Sequence, residues 1–305
     1  MKDPRVAIIV LNWNGISDTK ACLNSLKKIT YKNYGVILVD NGSRYDEAHF
    51  LEKEFGDYVH LLIKNEQNLG FTGGNNCAIK KALSEDFDYI FLLNNDTEVE
   101  PDFLTKLVAF AEKEEKYGIV GPTITNYKDK NIIWSAGGRY WWWVSRTFLP
   151  LQGENVSKIK KGNYKVDYIS GCAILIKRKI VEEIGLLDEK FFSYQEDADF
   201  CIRAKSRGWE SWQIPSSIIR HKIFKKFKKV SANQVYLLTR NKLWLSRKNF
   251  DRLRFHLVFF IWIFWKIPVK FAQMIIYREE RGFFKAHLKG LIDGACYRRK
   301  YINKD

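Results

Sequence analysis

The chain has 305 residues, of which 46% are hydrophobic and 15% aromatic; this composition excludes disorder, and the length suits one large domain with an appendage. Its five cysteines (Cys22, Cys77, Cys172, Cys201, Cys296) are odd in number, widely spaced and without a Cys-x-x-Cys pair, which argues against a disulfide framework and a zinc site and for a reducing compartment. The net charge of +16 is unevenly placed: residues 1–220 hold 30 Lys and Arg against 30 Asp and Glu, and residues 221–305 hold 21 against 5.

Met1 to Arg5 leads straight into a strand, so no secretory signal is expected. Val6–Leu11 is a continuous apolar run, the pattern of a parallel strand covered on both faces. Asn12-Trp13-Asn14-Gly15 breaks it, and Ser17 is expected to cap a helix running to about Ile29. Gly35–Val39 is a second strand, ending at Asp40-Asn41-Gly42-Ser43, and Val59–Ile63 is a third. The stretch from Asn68 through Gly70, Gly73, Gly74 and Asn75 to Asn76 is expected as a glycine-rich loop that opens a helix over Cys77–Leu83. Tyr89–Leu93 is a buried strand that ends abruptly at Asn94-Asn95-Asp96-Thr97, and Pro101 starts a helix to about Tyr117. Repeated strand–loop–helix units predict a mostly parallel, twisted sheet with right-handed crossovers. Such sheets bind ligands just beyond the carboxyl ends of their strands. On its own, Asn94–Thr97 reads either as an Asx-rich turn or as a place where Asp96 holds a hard divalent cation.

Residues 126–166 are charged and glycine-containing, with Tyr140-Trp141-Trp142-Trp143 in the middle. Three adjacent tryptophans cannot all face one core; they form a platform for a sugar ring or lipid, a mobile flap, or a wide local core. Tyr168–Lys177 returns as a strand and Lys179–Ile184 as a short helix. Gln195-Glu196-Asp197-Ala198-Asp199 opens another helix, with carboxylates in the first turn where the macrodipole favours them. Glu210–Ile214 is the last strand, with His221 shortly after it, and residues 233–249 form a helix carrying Arg240 and Asn241. Leu257–Trp265 is nine apolar residues without a charge, too short to span a bilayer and interrupted by Lys266, Pro268 and Lys270. With Arg252 and Arg254 before it, the run is expected as an interfacial helix in the cytoplasmic leaflet; the alternative is a helix packed on the sheet or on another subunit. The chain thus divides into a body over residues 1–230 and a basic, partly amphipathic helical tail over residues 231–305, which should face an anionic partner.

Taken in order, Asp40-Asn41-Gly42-Ser43, Asn68 to Asn76, Asn94-Asn95-Asp96, Glu196-Asp197 and His221 resemble the family-2 inverting nucleotide-sugar glycosyltransferases of GT-A fold. The pattern is nearest to rhamnosyltransferase- and galactofuranosyltransferase-like members and covers roughly residues 5–250. The resemblance implies a Rossmann-like α/β sheet flanked by helices, with a C-terminal helical extension. It implies a hexosyltransferase moving rhamnose or a similar hexose from a nucleoside-diphosphate donor to a hydroxyl of a glycan or lipid-linked acceptor. The setting it implies is polysaccharide or cell-wall glycan assembly by a cytoplasmic enzyme, peripheral at the inner face of the cell membrane.

By the same resemblance, Asn94, Asn95 and Asp96 stand at a DxD-type motif of which only Asp96 keeps a carboxylate. Asp96, with Asn94 and His221, would hold Mg²⁺ or Mn²⁺ on the diphosphate. Asp197 would be the base and Glu196 its acidic neighbour, a crowded pair in which one pKa rises. Asp40, with Asn12 and Asn14, would contact the nucleobase or ribose; Asn68, Gly73 and Asn75 would line the nucleotide, and Arg240 the acceptor or diphosphate. The reaction asks for such groups: a departing diphosphate develops charge that a cation neutralises, and the attacking hydroxyl must lose a proton to a carboxylate.

Three other readings stand beside this one. A basic, aromatic tail also suits a nucleic-acid binder, although no RNP-like signature or zinc finger accompanies it. A non-catalytic nucleotide-sugar binder on the same fold would tolerate Asn94. A nucleotidyltransferase would carry a glycine-rich, lysine-containing loop after the first strand, where Leu11-Asn12-Trp13-Asn14 stands instead.

Overall fold

The structure, a computed structural model, describes residues 3–141, 143, 146–222, 231–277 and 281–296. Trp142 and residues 278–280 and 297–305 of the basic tail lie outside the described residues. The chain forms two compact units. The first gathers residues 1–139, 148–192 and 196–223, and the second residues 140–147, 193–195 and 224–305.

The first unit opens with four parallel strands, β1 (Val6–Asn12), β2 (Tyr34–Asn41), β3 (Leu61–Asn65) and β4 (Tyr89–Asn94), separated by helices α1 (Ile16–Leu26), α2 (Glu47–Phe55) and α3 (Gly70–Leu83). The apolar run of β1 is buried on both faces, with Val6, Ile8 and Val10 packed in one core with Cys22, Leu23 and Leu26 of α1, while α3 lies on β1 and β2. Then follow β5 (Thr97–Val99), α4 (Phe103–Ala111), β6 (Ile119–Asn126), β7 (Ile133–Ser135), β8 (Arg139–Trp141), β9 (Arg146–Phe148), β10 (Tyr164–Val166), β11 (Ala173–Lys177), α5 (Arg178–Ile184), α6 (Glu196–Lys205) and β12 (Ser211–His221). Strands β8 and β9, which lie mostly within residues 140–147 of the second unit, pair in a separate ribbon; the main sheet runs β10-β12-β6-β11-β4-β1-β2-β3, with β5 on β12 and β7 on β6.

The sheet is parallel through its first four strands and mixed beyond them, because β11 runs antiparallel to both β4 and β6, and β12 runs parallel to β6. Strands β1 to β4, β6 and β12 therefore all end at one edge, and β11 begins there. This edge carries the predicted polar residues.

Several local expectations are corrected. Ser17 does not cap α1: the helix starts at Ile16, Gly15 occupies the cap position without a side-chain bond, and its N–H donates to Glu47 Oε2 at 3.1 Å. The glycine-rich stretch is not a loop before a helix but the first turns of α3 itself. Its helix propensity is poor, but Gly70 has φ +73°, and a Cβ on Gly74 would sit 2.6 Å from Leu11 Cδ1. Glycine is what lets this helix press against the sheet. The last strand does not stop at Ile214; after an irregularity between Ile214 and Ile218 it resumes its pairing with β6 and runs to His221. His221 is thus a strand residue.

The second unit contains α7 (Ala232–Asn249), α8 (Arg252–Ile261), a π turn over Trp262–Lys266, α9 (Ile267–Ile276) and α10 (Arg281–Ala295). Gly290 and Gly294 of α10 let it approach α7 closely; a Cβ on either would fall 2.8 Å from an α7 atom, Tyr236 O or Leu243 Cβ. Tyr236 Oη donates to Asp293 Oδ2 at 2.7 Å and Trp244 Nε1 to Asp293 O at 3.1 Å. The run expected to be only nine residues long lies within a continuous helix from Arg252 to Ile276, 25 residues, long and apolar enough to cross a membrane by length and composition. Pro268 does not stop it, because the π turn directly before it opens the ladder where the proline ring would otherwise meet a carbonyl. Trp141 and Trp143 are each 55% exposed, so these two do not form a local core.

Candidate active site

Chain reversal at the carboxyl edge builds the first half of the site. After Asn94, the Asn95-Asp96 turn sends the chain back as β5, which pairs antiparallel with the end of β12 so that Thr97 lies opposite His221. Asp96 is thereby brought to His221, with Oδ1 3.0 Å from Nε2. The edge of Trp134 packs on the His221 ring at a centroid distance of 4.6 Å. His221 is buried, and its Nδ1 has no hydrogen-bond partner among the described residues. Lys222 follows, its N–H donating to Asp96 O at 2.8 Å and its ammonium 3.3 Å from both Asp18 and Glu98. Burial works to lower the Lys222 pKa, but the two carboxylates more than offset it and hold it raised.

Asn94 is the last residue of β4, half-buried, its carbonyl accepting from Thr97 Oγ1 at 2.6 Å. Asn95 faces inward, donating Nδ2 to Thr19 Oγ1 at 2.8 Å. No group of three His, Cys, Asp or Glu side chains is arranged for a metal among the described residues. Asp96 and His221 are therefore the two strong donors present together.

The second half is the start of α6. Asp197 Oδ2 accepts from the Gly171 N–H at 3.0 Å and Oδ1 from Ala198 N–H at 2.7 Å. Gly171 lies just before β11, so the amide holding Asp197 is at the same edge as Asn94, whose N–H donates to Cys172 O at 2.9 Å. The Cys172 thiol feels the charges of both Asp96 and Asp197, and burial pushes its pKa well up. Asp197's pKa is raised by burial, against the pull of the Gly171 and Ala198 amides. Glu196 is raised further, by burial first and the Asp197 charge second, and its buried Oε2 has no partner among the described residues. Both carboxyls are thus raised, with desolvation rather than crowding as the main cause.

The edge of β1 and β2 forms a polar network. Asn12 is fully buried; its Nδ2 donates to Asp40 Oδ1 at 2.8 Å and Glu47 Oε2 at 2.9 Å, and its Oδ1 accepts from Thr19 Oγ1 at 2.6 Å. With those bonds made, Asn12 positions Asp40 and is committed inside the protein. Asn14 accepts from Arg44 N–H at 2.8 Å through Oδ1, and its own N–H donates to Ser43 Oγ at 2.9 Å. Asn68 Oδ1 accepts from Gly70 N–H at 2.7 Å and Asn41 Nδ2 at 3.0 Å, fixing the start of α3. Asn75 is buried and bonded to Phe71 O at 2.8 Å, and Gly73 packs against Leu69. Arg240 belongs to the second unit, its guanidinium 4.0 Å above the Trp244 ring and its Nε donating to Asn241 Oδ1 at 2.9 Å.

Residues 7–185 match the model of the glycosyl transferase family 2 domain, more than half of the chain. The chain belongs to glycosyl transferase family 2. It is 27% identical over 82% of its length to a low-salt glycan biosynthesis hexosyltransferase of Haloferax volcanii, covering 79% of that protein. It is 25% identical over 65% of its length to an N-acetylglucosaminyl-diphospho-decaprenol L-rhamnosyltransferase of Mycobacterium tuberculosis, covering 70% of it. Among solved structures, GalNAc-T7 with UDP, GalNAc and Mn²⁺ superposes with a TM-score of 0.68 at 18% identity, over 92% of this chain and 54% of that one. That likeness is one of fold, and it gives the family 2 glycosyltransferase a GT-A architecture.

Four residues around this glycosyltransferase's edge escape a reading by motif. Glu47 ties the β1–α1 turn to β2, Thr19 bridges Asn12 and Asn95, Gly171 supplies the amide to Asp197, and Lys222 brings a cation beside Asp96. Glu47 and Thr19 are ordinary helix residues in the sequence. Lys222, directly after His221, was the most legible of the four.

Proposed function

We propose that this family 2 enzyme transfers rhamnose or a similar hexose from a nucleoside diphosphate to a hydroxyl of a glycan or lipid-linked acceptor, in one step with inversion. One observation carries the reading: a single sheet edge holds the Asp96–His221 pair and a separate carboxylate, Asp197, held on backbone amides, with the Cys172 thiol within electrostatic reach of both aspartates. The first suits a cation and diphosphate, the second a proton acceptor.

Asp96 and His221, with the Asn94 carbonyl, would hold Mg²⁺ or Mn²⁺. A carboxylate beside an imidazole, Asp96 Oδ1 3.0 Å from His221 Nε2, suits such an ion. When bound, the ion neutralises charge on the departing diphosphate. Lys222 adds positive charge nearby. Asp40, set by Asn12 and Ser43, would meet the nucleoside with Asn14; Asn68, Gly73 and Asn75 shape the wall beside it. Asp197 takes the acceptor proton. The raised pKa makes it a stronger base than an ordinary aspartate. Burial, and after it the Asp197 charge, raises the Glu196 pKa well above the ordinary value, which works against a second charge beside Asp197.

In this reading residues 1–230 catalyse, and the basic tail holds the enzyme at the inner face of the membrane during polysaccharide or cell-wall glycan assembly. The test is Asp197→Asn: transfer should fall by about 10²–10⁴-fold, with the donor still bound in calorimetry. Wild-type turnover in that variant overturns the assignment. Turnover absent from the wild type, with metal-dependent nucleoside-diphosphate binding intact, would favour a non-catalytic binder, a reading that Asn94 in place of a carboxylate supports.

A further inference from the structure

The helix from Arg252 to Ile276 passes the length test for a membrane span, but its packing says how it can meet a bilayer. One stripe, Phe255, Val258 and Trp262, is buried, and Val258 and Trp262 share a core with Leu243 of α7 and Leu291 of α10. Those two helices carry Arg240, Lys242 and Arg247, and Lys285, Lys289 and Asp293. A helix crossing the hydrocarbon at that point would draw these charges in with it, at a high cost. On the opposite stripe Leu253, Leu257, Phe260, Phe264, Phe271 and Ile275 are exposed, Phe260 by 62% and Phe264 by 64%. Their spacing of three, four and seven keeps them on one side.

We propose that this helix lies flat in the surface of an anionic bilayer, apolar stripe in the acyl boundary, with Arg252, Arg254, Lys266 and Lys270 at the phosphates. The inference deepens the membrane-face reading above and rests on it. Charge singles out the occupant. From Arg252 to Tyr277 there is no Asp or Glu, so the helix itself carries no charge that repels lipid phosphate. Trp265, 67% exposed beside Lys266, has the amphipathic ring that settles at headgroup depth. Lys266 also forms part of a wider cationic group. Burial lowers the Lys242 pKa, and the charges of Lys266 and Arg146 lower it further. Lys266 on the π turn and Arg146 on β9 therefore both lie within electrostatic reach of Lys242 on α7. An anionic headgroup relieves that repulsion.

The full chain tests this by co-sedimentation with vesicles of phosphatidylcholine alone or mixed with phosphatidylglycerol. Wild type should partition at least about tenfold better onto the anionic vesicles, as expected for several basic side chains near a charged surface. The Phe260→Ser/Phe264→Ser double variant, altered only at exposed positions, should lose most binding to either vesicle, and Lys266→Gln should lose mainly the anionic preference. Undiminished vesicle binding by the double variant overturns the proposal. So does resistance of the wild type to alkaline extraction, the mark of a spanning helix, or a dimer that the double variant dissociates while vesicle binding is unchanged. Donor-sugar hydrolysis in lipid-free solution, measured alongside, should be the same in wild type and variants. That keeps a failure of the membrane contact distinct from a failure of the transferase reading.

Discussion

Asp197 and Glu196 are neighbours in sequence and differ in task because the fold gives them different partners. Asp197 receives two backbone N–H groups and Glu196 Oε2 receives none among the described residues. Since the base must be ionised and its pKa is raised from an ordinary 3.8, transfer should fade as pH drops through a midpoint above that value. A pH–rate profile whose acidic limb lies at or below an ordinary aspartate contradicts the assignment. Glu196 has a stability signature of its own. Its folded pKa lies well above the ordinary 4.5, so its contribution is fully present below pH 4.5 and is lost as pH rises toward the folded value. Glu196→Gln should therefore raise the melting temperature at neutral pH, by about 2–4 °C for each kcal/mol recovered, and leave it unchanged at pH 4. Thermal unfolding at both pH values reads the difference. For the cation pair, His221→Ala should weaken metal-dependent donor binding about 10–100-fold, the scale of losses around metal sites, while metal-free binding changes little; calorimetry with and without Mn²⁺ separates the two.

Among the elements, α3 shows most clearly how packing overrides propensity. Five of the seven residues in its first two turns are Gly or Asn, a poor helical sequence, yet the helix forms because its glycines fit where side chains cannot. A Cβ at Gly70 would lie 2.5 Å from Phe192 O, and Gly74 has Leu11 and Asn41 against it. Gly74→Val should destabilise the protein by about 1–3 kcal/mol through overpacking, visible as a lower urea midpoint with an unchanged slope. Pro268 teaches the converse. A proline in mid-run signals a stop by local rules, but a π turn over Trp262–Lys266 absorbs it and the helix continues. The helix over Glu47–Phe55 had no clear signal at all, although its Glu47 proves to anchor Asn12.

At the scale of the molecule, the second unit is not a simple tail. Besides residues 224–305 it gathers residues 140–147 and 193–195. Asn241 Nδ2 caps the carbonyls of Ser193 and Tyr194 at 2.8 and 2.9 Å, and Phe250 stacks on Tyr140 at 5.3 Å. A chain truncated after residue 223 should lose these partners. Leaving such carbonyls unpaired costs on the order of 1–3 kcal/mol where they stay buried, so the truncated protein should melt several degrees lower. Differential scanning calorimetry of both chains checks this; equal melting temperatures would mean the second unit contributes nothing to the stability of the first 223 residues.

The amino-acid sequence by itself determined where β1, β2 and β4 lie and what stands at their ends, but it carried no sign of the central β6 or of the short strands β5 and β7 to β10. Continuous apolar runs closed by Asn12, Asp40, Asn94 and Asp96 are local patterns, and hydrophobic periodicity acts over a few residues. The asymmetric charge was equally legible, being a matter of composition. Only the tertiary structure decided that Asp96 meets His221, 125 residues away, because that meeting depends on β5 pairing with β12, a non-local set of backbone hydrogen bonds. It likewise decided that Asp197 is held by Gly171, since β11 enters the sheet against the direction of its neighbours. Backbone pairing across the sheet is blind to side-chain motif, so no local signal announces which strand end will face which.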